Sequence, residues 1–212
     1  MSNNLLKNTD EEIEIFENSL SFELTDPYYY IKKEAISKET CQQIIELFEK
    51  SDKHEGHTMG GLDISVKKTF EIKIEGNEWI EFDNILYSCL TNALIEYAVQ
   101  LKTLCNNGII IYYLENNKIT DTGYQIQKYI KYDGFYVWHN DVSIKNQLSE
   151  RIITFIFYLN DIEEGGETLF YNGKVKPEAG KLLLFPATWT YNHKGNMPKS
   201  NDKYIITGWV YN

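Results

Sequence analysis

No run of apolar residues in this chain approaches the ~20 that a membrane-spanning helix needs. The opening stretch MSNNLLKNTDEEIEIF also lacks the basic segment followed by an apolar one that marks a secretory leader. Basic residues are in short supply, with 21 Lys and Arg against 31 Asp and Glu for a formal net charge of -10. Because sequence-independent binding of a phosphate backbone rests on clustered Lys and Arg, nucleic acid is a poor partner. Cysteine is sparse too. Cys41, Cys89 and Cys105 are widely spaced and odd in number, and two of them fall in amphipathic helical patterns, which fits buried reduced thiols better than a disulfide framework. These absences lead to the expectation of a cytoplasmic protein with no membrane segment.

What is present is enough apolar material for one full core: 212 residues, of which 42% are hydrophobic. Residues 1–25 are acidic, with alternating stretches (EIEIF, LSFEL) that suggest an edge strand or a loose terminus, and residues 26–212 are expected to form a single domain. Ser37 is a candidate N-cap for a helix through CQQIIELFEK, whose Ile44, Ile45, Leu47 and Phe48 share one broad face. A longer helix is predicted over 78–104, with a stripe of Phe82, Ile85, Leu86, Leu90, Leu94, Ala98 and Leu101 that would pack on a sheet. Between these helices, SDKHEGHTMGGLDIS (51–65) breaks all periodicity and reads as a mobile loop. Its His54 and His57 have chelating spacing but no further ligand type nearby, and an exposed loop that covers a site is the simpler expectation.

From Thr122 onward the pattern changes to short β-branched and aromatic runs separated by Gly and Pro turn signals. Such spacing predicts a β-sandwich or barrel. The fold class is therefore α+β: a double-stranded β-helix (jelly roll) core with N-terminal helices packed on one sheet.

Within FYVWHNDVS (135–143), His139 and Asp141 are separated by one residue, so in a strand they face the same way while Trp138 and Asn140 face the other. An ordinary half-buried strand accounts for that pair taken alone. His193 follows Asp141 by 52 residues in another β-rich stretch. Two His and one carboxylate match the facial set of non-haem Fe(II) oxygenases, which leaves three coordination positions open. Ten residues beyond His193 stands Lys203, at the head of KYIITGWVY, whose alternation puts Lys203, Ile205, Thr207 and Trp209 on one face. A surface lysine at a strand start and an inward anchor for an anion are both consistent with that position. An inward one needs an anionic partner. The competing assignment is a jelly-roll binding module without catalysis, holding a structural metal such as zinc, which requires a fourth ligand.

H-x-D, the later His and the Lys ten beyond it resemble the Fe(II)/2-oxoglutarate-dependent dioxygenases, prolyl 4-hydroxylase-like branch. RIITFIFYLNDIEEGGETLF is similar to that branch's R-x-x-T-x-x-x-Y-L-N segment with the following G-G-E-T-x-F. KYIITGWVY matches its closing Lys-Tyr and Trp, and ISKETCQQIIELFEKS resembles its opening helix. The resemblance covers most of 27–212. It implies that His139, Asp141 and His193 hold Fe(II) and that Lys203 binds the C5 carboxylate of 2-oxoglutarate. Tyr129 matches the tyrosine that assists Lys203, one residue further from His139 than the family spacing, with Tyr132 as the alternative. Thr154 and Trp209 match pocket positions, with core packing as their other explanation, and Tyr136 and Val137 become candidate walls. Arg151 is expected to brace the fold through a carboxylate, and Gly165–Gly166 to permit a tight turn or a close backbone approach.

The resemblance further implies O2 as co-substrate, succinate and CO2 as products, and ascorbate as a candidate reductant. Asp141 counts against a halogenase, which lacks that carboxylate. A peptide or protein substrate, peptidyl proline first, is favoured over a free amino acid or other small molecule.

Overall fold

The computed structural model describes residues 10–58, 60–116, 118–145 and 149–212. Residues 1–9 of the acidic segment lie outside the described residues. Two antiparallel sheets face each other. The major sheet runs Tyr30–Lys32, Leu182–Pro186, Ser149–Tyr158, Lys203–Tyr211, Gln125–Tyr129, Phe70–Lys73, His54–Glu55. The minor sheet runs Gly173–Val175, Thr168–Phe170, His193–Gly195, Phe135–His139, Lys67–Lys68.

Alternation along the major strands divides the apolar residues between two cores, because successive side chains leave opposite faces. Leu182, Leu184, Phe155, Phe157, Ile206 and Val210 point outward into a core shared with the helices. Leu183, Phe185, Ile156, Tyr158 and Ile205 point inward toward the minor sheet. The helices Lys38–Lys50 and Ile80–Cys105 cover the outer face with Ile44, Phe48, Leu86, Leu90, Leu94, Ala98 and Leu101, all buried. This is the jelly roll with helices on one sheet that the periodicities predict. Ser37 caps the first of these helices, its Oγ accepting from the Thr40 amide at 3.0 Å. The second helix is entered through a 3-10 turn at Asn77–Trp79.

Three local features differ from expectation. Asp10–Ser19 is an α-helix, not an edge strand or loose terminus. Its Phe16 meets the Tyr171 ring at 6.1 Å between centroids, while Ile15 is exposed. A further helix, Ile109–Glu115, follows the long one after a left-handed Asn106 cap at φ 50. Within 51–65, where a loop was expected, His54–Glu55 pairs with Phe70–Glu71 and Thr58 bridges Gly61. Among the described residues, no helix is long and apolar enough to cross a membrane.

Candidate metal and co-substrate site

The two histidines come from adjacent strands of the minor sheet, whose register places His193 directly opposite His139. Asp141 lies just past the end of the His139 strand. Among the described residues these three form the one cluster in which His, Cys, Asp or Glu ligand atoms gather, all within 4.8 Å of one another. Each imidazole is fixed by a backbone carbonyl. Nδ1 of His139 donates to Val137 O at 2.8 Å and Nδ1 of His193 to Tyr191 O at 3.2 Å. A carbonyl only accepts, so Nδ1 carries the proton in both rings and Nε2 is left as a lone-pair donor. The two Nε2 atoms stand 3.9 Å and 3.6 Å from the Asp141 oxygens.

Electrostatics favour a neutral His139 and an ionised Asp141, the states a cation requires of them. Burial, followed by the neighbouring His193, holds the His139 imidazole well below its usual range. For Asp141, burial acts upward but is outweighed by His193, His139 and the Thr154 hydroxyl, so the carboxyl is held down. Thr154 Oγ1 donates to Asp141 Oδ2 at 2.7 Å. The Trp209 indole N–H adds a weaker pull on the same carboxylate without reaching hydrogen-bond geometry, and it has no other partner.

A cavity of about 500 Å³ opens beside the cluster, lined among others by Tyr129, Tyr136, Lys203, Thr207 and Trp209. Lys203 is 1% exposed, and among the described residues its ammonium has no carboxylate within ion-pair distance. Nζ donates to the Gly166 carbonyl at 3.0 Å and sits 3.8 Å over the Tyr129 ring. Burial lowers its pKa to about 7, with Glu167 a weaker opposing influence. A buried cation with one neutral partner is a site for an anion. The Gly165–Gly166 turn, at φ 72 and 73, makes that carbonyl available: a Cβ on Gly165 would lie 2.3 Å from Met197 O. Donor set and anion socket together fit an octahedral divalent ion chelated by a keto acid, and three donors fall short of the four a structural zinc needs.

Residues 124–211 match the family model of the 2OG-Fe(II) oxygenase superfamily. The likeness to that superfamily lies in this segment, well under half of the chain. The segment contains His139, Asp141, His193 and Lys203, together with Tyr129, Thr154 and Trp209. Among similar proteins, "Probable prolyl 4-hydroxylase 9" of Arabidopsis thaliana is 34% identical over 104 residues, 38% of this chain and 36% of that one. "Prolyl 4-hydroxylase 13" of the same plant is 30% identical over 104 residues, 38% of each chain. The match therefore spans little more than a third of those relatives' length.

Two solved structures share the fold. One is a prolyl hydroxylase from Trichoplax adhaerens in complex with a hypoxia inducible factor peptide fragment (TM-score 0.66, 19% identity, 96% of this chain and 93% of that one). The other is a viral collagen prolyl hydroxylase from Paramecium Bursaria Chlorella virus-1 in its 2OG complex (TM-score 0.59, 20% identity, 87% and 96%).

Tyr129 is buried against Lys203, whereas Tyr132 is 64% exposed on a turn at φ 58. Tyr136 stacks on His139 at 3.5 Å. Arg151 departs from expectation. Its partners are the Asp141 carbonyl at 3.4 Å, the Tyr211 hydroxyl at 3.1 Å and the Trp209 ring at 3.6 Å, not a carboxylate. His54 and His57 approach each other at 6.0 Å between ring centroids without gathering a third ligand among the described residues, but His57, Thr58 and Gly60 do line the cavity.

Sequence reasoning missed one wall of the cavity. Lys67 and Glu71 form a buried ion pair at 2.5 Å, to which Thr69 and Gln125 donate at 2.8 Å and 2.9 Å, and Lys67 also reaches His57 O at 3.3 Å. Lys67, Thr69 and Glu71 alternate in sequence, but Lys67 pairs into the minor sheet and Glu71 into the major one, so local pattern gave no sign of the pair.

Proposed function

We propose that the chain is an Fe(II)- and 2-oxoglutarate-dependent dioxygenase that hydroxylates a C–H bond, with peptidyl proline as first substrate and succinate and CO2 as co-products. Lys203 carries this proposal: a buried ammonium with no carboxylate within ion-pair distance among the described residues, in the same cavity as two His and one Asp. His139, Asp141 and His193 are assigned to the iron, and Lys203 with Tyr129 to the far carboxylate of 2-oxoglutarate. Thr154 orients the Asp141 carboxylate, and Trp209 walls the pocket. When bound, iron with its co-substrate supplies the oxidising chemistry.

The chain's share is orientation and exclusion of water. The carbonyls of Val137 and Tyr191 hold both rings in one tautomer. Tyr136, Ile156 and Ile205 keep the cavity's interior dry around the charged groups. A peptide substrate is supported by the cavity's mouth at 57–60 and by the peptide-bound prolyl hydroxylase that shares the fold. Three unpaired cysteines support a reducing, cytoplasmic setting, with ascorbate as reductant and 26–212 as a single domain.

Anaerobic titration of the apoprotein with Fe(II) and 2-oxoglutarate should give a visible charge-transfer band, absent in His139→Ala. Succinate release is then compared across prolyl peptides and free amino acids. A band without turnover on any prolyl peptide removes the substrate assignment, and no band removes the enzyme assignment.

A further inference from the structure

The helix Asp10–Ser19 carries none of the chemistry assigned so far, yet it lies directly behind the metal donors. Trp138 and Lys194 are the chain neighbours of His139 and His193. With the imidazoles facing the cavity, strand alternation sends Trp138 and Lys194 out of the back of the minor sheet. Both end on one side chain. Trp138 Nε1 donates to Glu17 Oε1 at 3.0 Å, and Lys194 Nζ donates to Glu17 Oε1 and Oε2 at 2.6 and 2.7 Å. The Lys194 and Glu17 side chains are 22% and 13% exposed, so this charge-assisted pair is screened far less than an open surface pair. The Trp138 ring stacks on Tyr171 at 4.5 Å and an interplanar angle of 2°, and Phe16 meets Tyr171 at 6.1 Å.

A brace is needed at this point because the ladder is irregular. His193 pairs with His139, but Gly195 pairs with Tyr136, so a two-residue step on one strand spans three residues on the other. A bulge of this kind gives up ladder hydrogen bonds and adds local twist. Backbone pairing alone therefore does not set the separation of the two imidazoles. Lys194 lies inside the irregular step on one strand and Val137 and Trp138 on the other, and Glu17 bridges Lys194 to Trp138 across it.

We infer that Glu17 is a positioning residue for the metal centre: acting through Trp138 and Lys194, it holds the two histidine strands at the spacing the ion requires. The inference rests on the assignment of His139, Asp141 and His193 as metal donors. It makes the N-terminal helix part of the working site, where the sequence shows no chemistry.

The test is metal affinity of the full-length apoprotein, read by Co(II) d–d absorption and by the position of the Fe(II)·2-oxoglutarate band, with thermal stability measured in parallel. Glu17→Ala should weaken metal binding about tenfold, as loss of partners that orient ligands does, and should shift the band. Glu17→Gln, which keeps an acceptor for Trp138, should fall between Glu17→Ala and wild type. Glu14→Ala, an exposed change on the same helix, should bind as wild type.

A lowered Tm with unchanged metal Kd and band in Glu17→Ala would mean a merely structural role and overturn the inference. If Glu17→Ala does not fold, Trp138→Phe, which retains the ring and deletes the N–H, carries the test with Glu17→Gln. Wild-type affinity in both overturns it. Failure of wild type itself to bind any divalent ion overturns the metal assignment, and this inference with it.

Discussion

Lys203 is where charge and surroundings are most opposed, and its titration makes the opposition measurable. Its pKa in the folded apoprotein is pushed down to about 7 by burial. Between that value and the ordinary lysine range, the unfolded chain binds a proton that the folded chain does not, so this group makes apoprotein stability rise with pH across that window. Below pH 7 both states are protonated and the burial penalty is fully present. An anion bound at Lys203 requires the charged form, so 2-oxoglutarate uptake above pH 7 should draw in a proton and weaken by up to about tenfold per pH unit. Calorimetry at pH 8 in buffers of different ionisation enthalpy checks this. A flat Kd between pH 6.5 and 8.5, with no proton uptake, would remove Lys203 from the anion site. Lys203→Met should leave the apoprotein at least as stable while weakening 2-oxoglutarate by roughly thirtyfold or more, about 2 kcal/mol for losing one partner of a buried charge pair. Thr154→Val removes the donor to Asp141 Oδ2 and should cost about tenfold in metal affinity with little change in 2-oxoglutarate affinity at saturating metal.

At the scale of elements, the strand Phe70–Lys73 joins the outer helices' sheet to the cavity through Glu71. Glu71 is 1% exposed and its carboxylate is fully engaged by Lys67, Thr69 and Gln125. Glu71→Ala strands the Lys67 charge in a dry wall, and denaturant unfolding should show a loss of about 3–5 kcal/mol. The double change Lys67→Met with Glu71→Leu should recover most of it. If the double variant is no better than the single one, packing rather than unpaired charge dominates. The neighbouring turn depends on Gly56, where a Cβ would stand 2.0 Å from Thr69 Oγ1 and 2.7 Å from Glu71 Oε1. The order of the 56–61 segment at the cavity mouth therefore depends on a residue without a side chain.

For the whole molecule, the candidate donor histidines come from the minor sheet and Lys203 from the major one, so the ligands of the proposed function would bridge the two sheets. Metal and co-substrate that bind only the folded state should raise Tm together, by about 2.7 kcal/mol of stabilisation for each at a free concentration of 100 Kd. Calorimetric scans of wild type and His193→Ala check this. An equal rise in the variant would mean that the ion binds elsewhere. The outer core should be separable from this effect. Leu90→Ala, at a position 2% exposed beneath the long helix, should cost about 2–5 kcal/mol of stability without changing 2-oxoglutarate affinity in the fraction that remains folded.

Much of this was legible in the chain itself, because local periodicity and spacing carry it. The stripe from Phe82 to Leu101 and the alternation of KYIITGWVY determine a helix and a strand whatever surrounds them. His139, Asp141, His193 and Lys203 could be picked out as candidates by residue type and spacing, and the structure brings them to one cavity; strand alternation already sets Trp138 on the face away from His139. What depends on contacts distant in sequence was not legible. Whether Tyr129 or Tyr132 faces the socket turns on which of them is buried against Lys203. The Lys67–Glu71 pair exists because strands of the two sheets meet there and bury it. Glu17 meets Lys194 across 177 residues of chain, and nothing in EEIEIFENS announces it. Local sequence sets conformational preference and side-chain chemistry, but burial and pairing are properties of surfaces brought together, and only the tertiary structure decides which charges share a cavity.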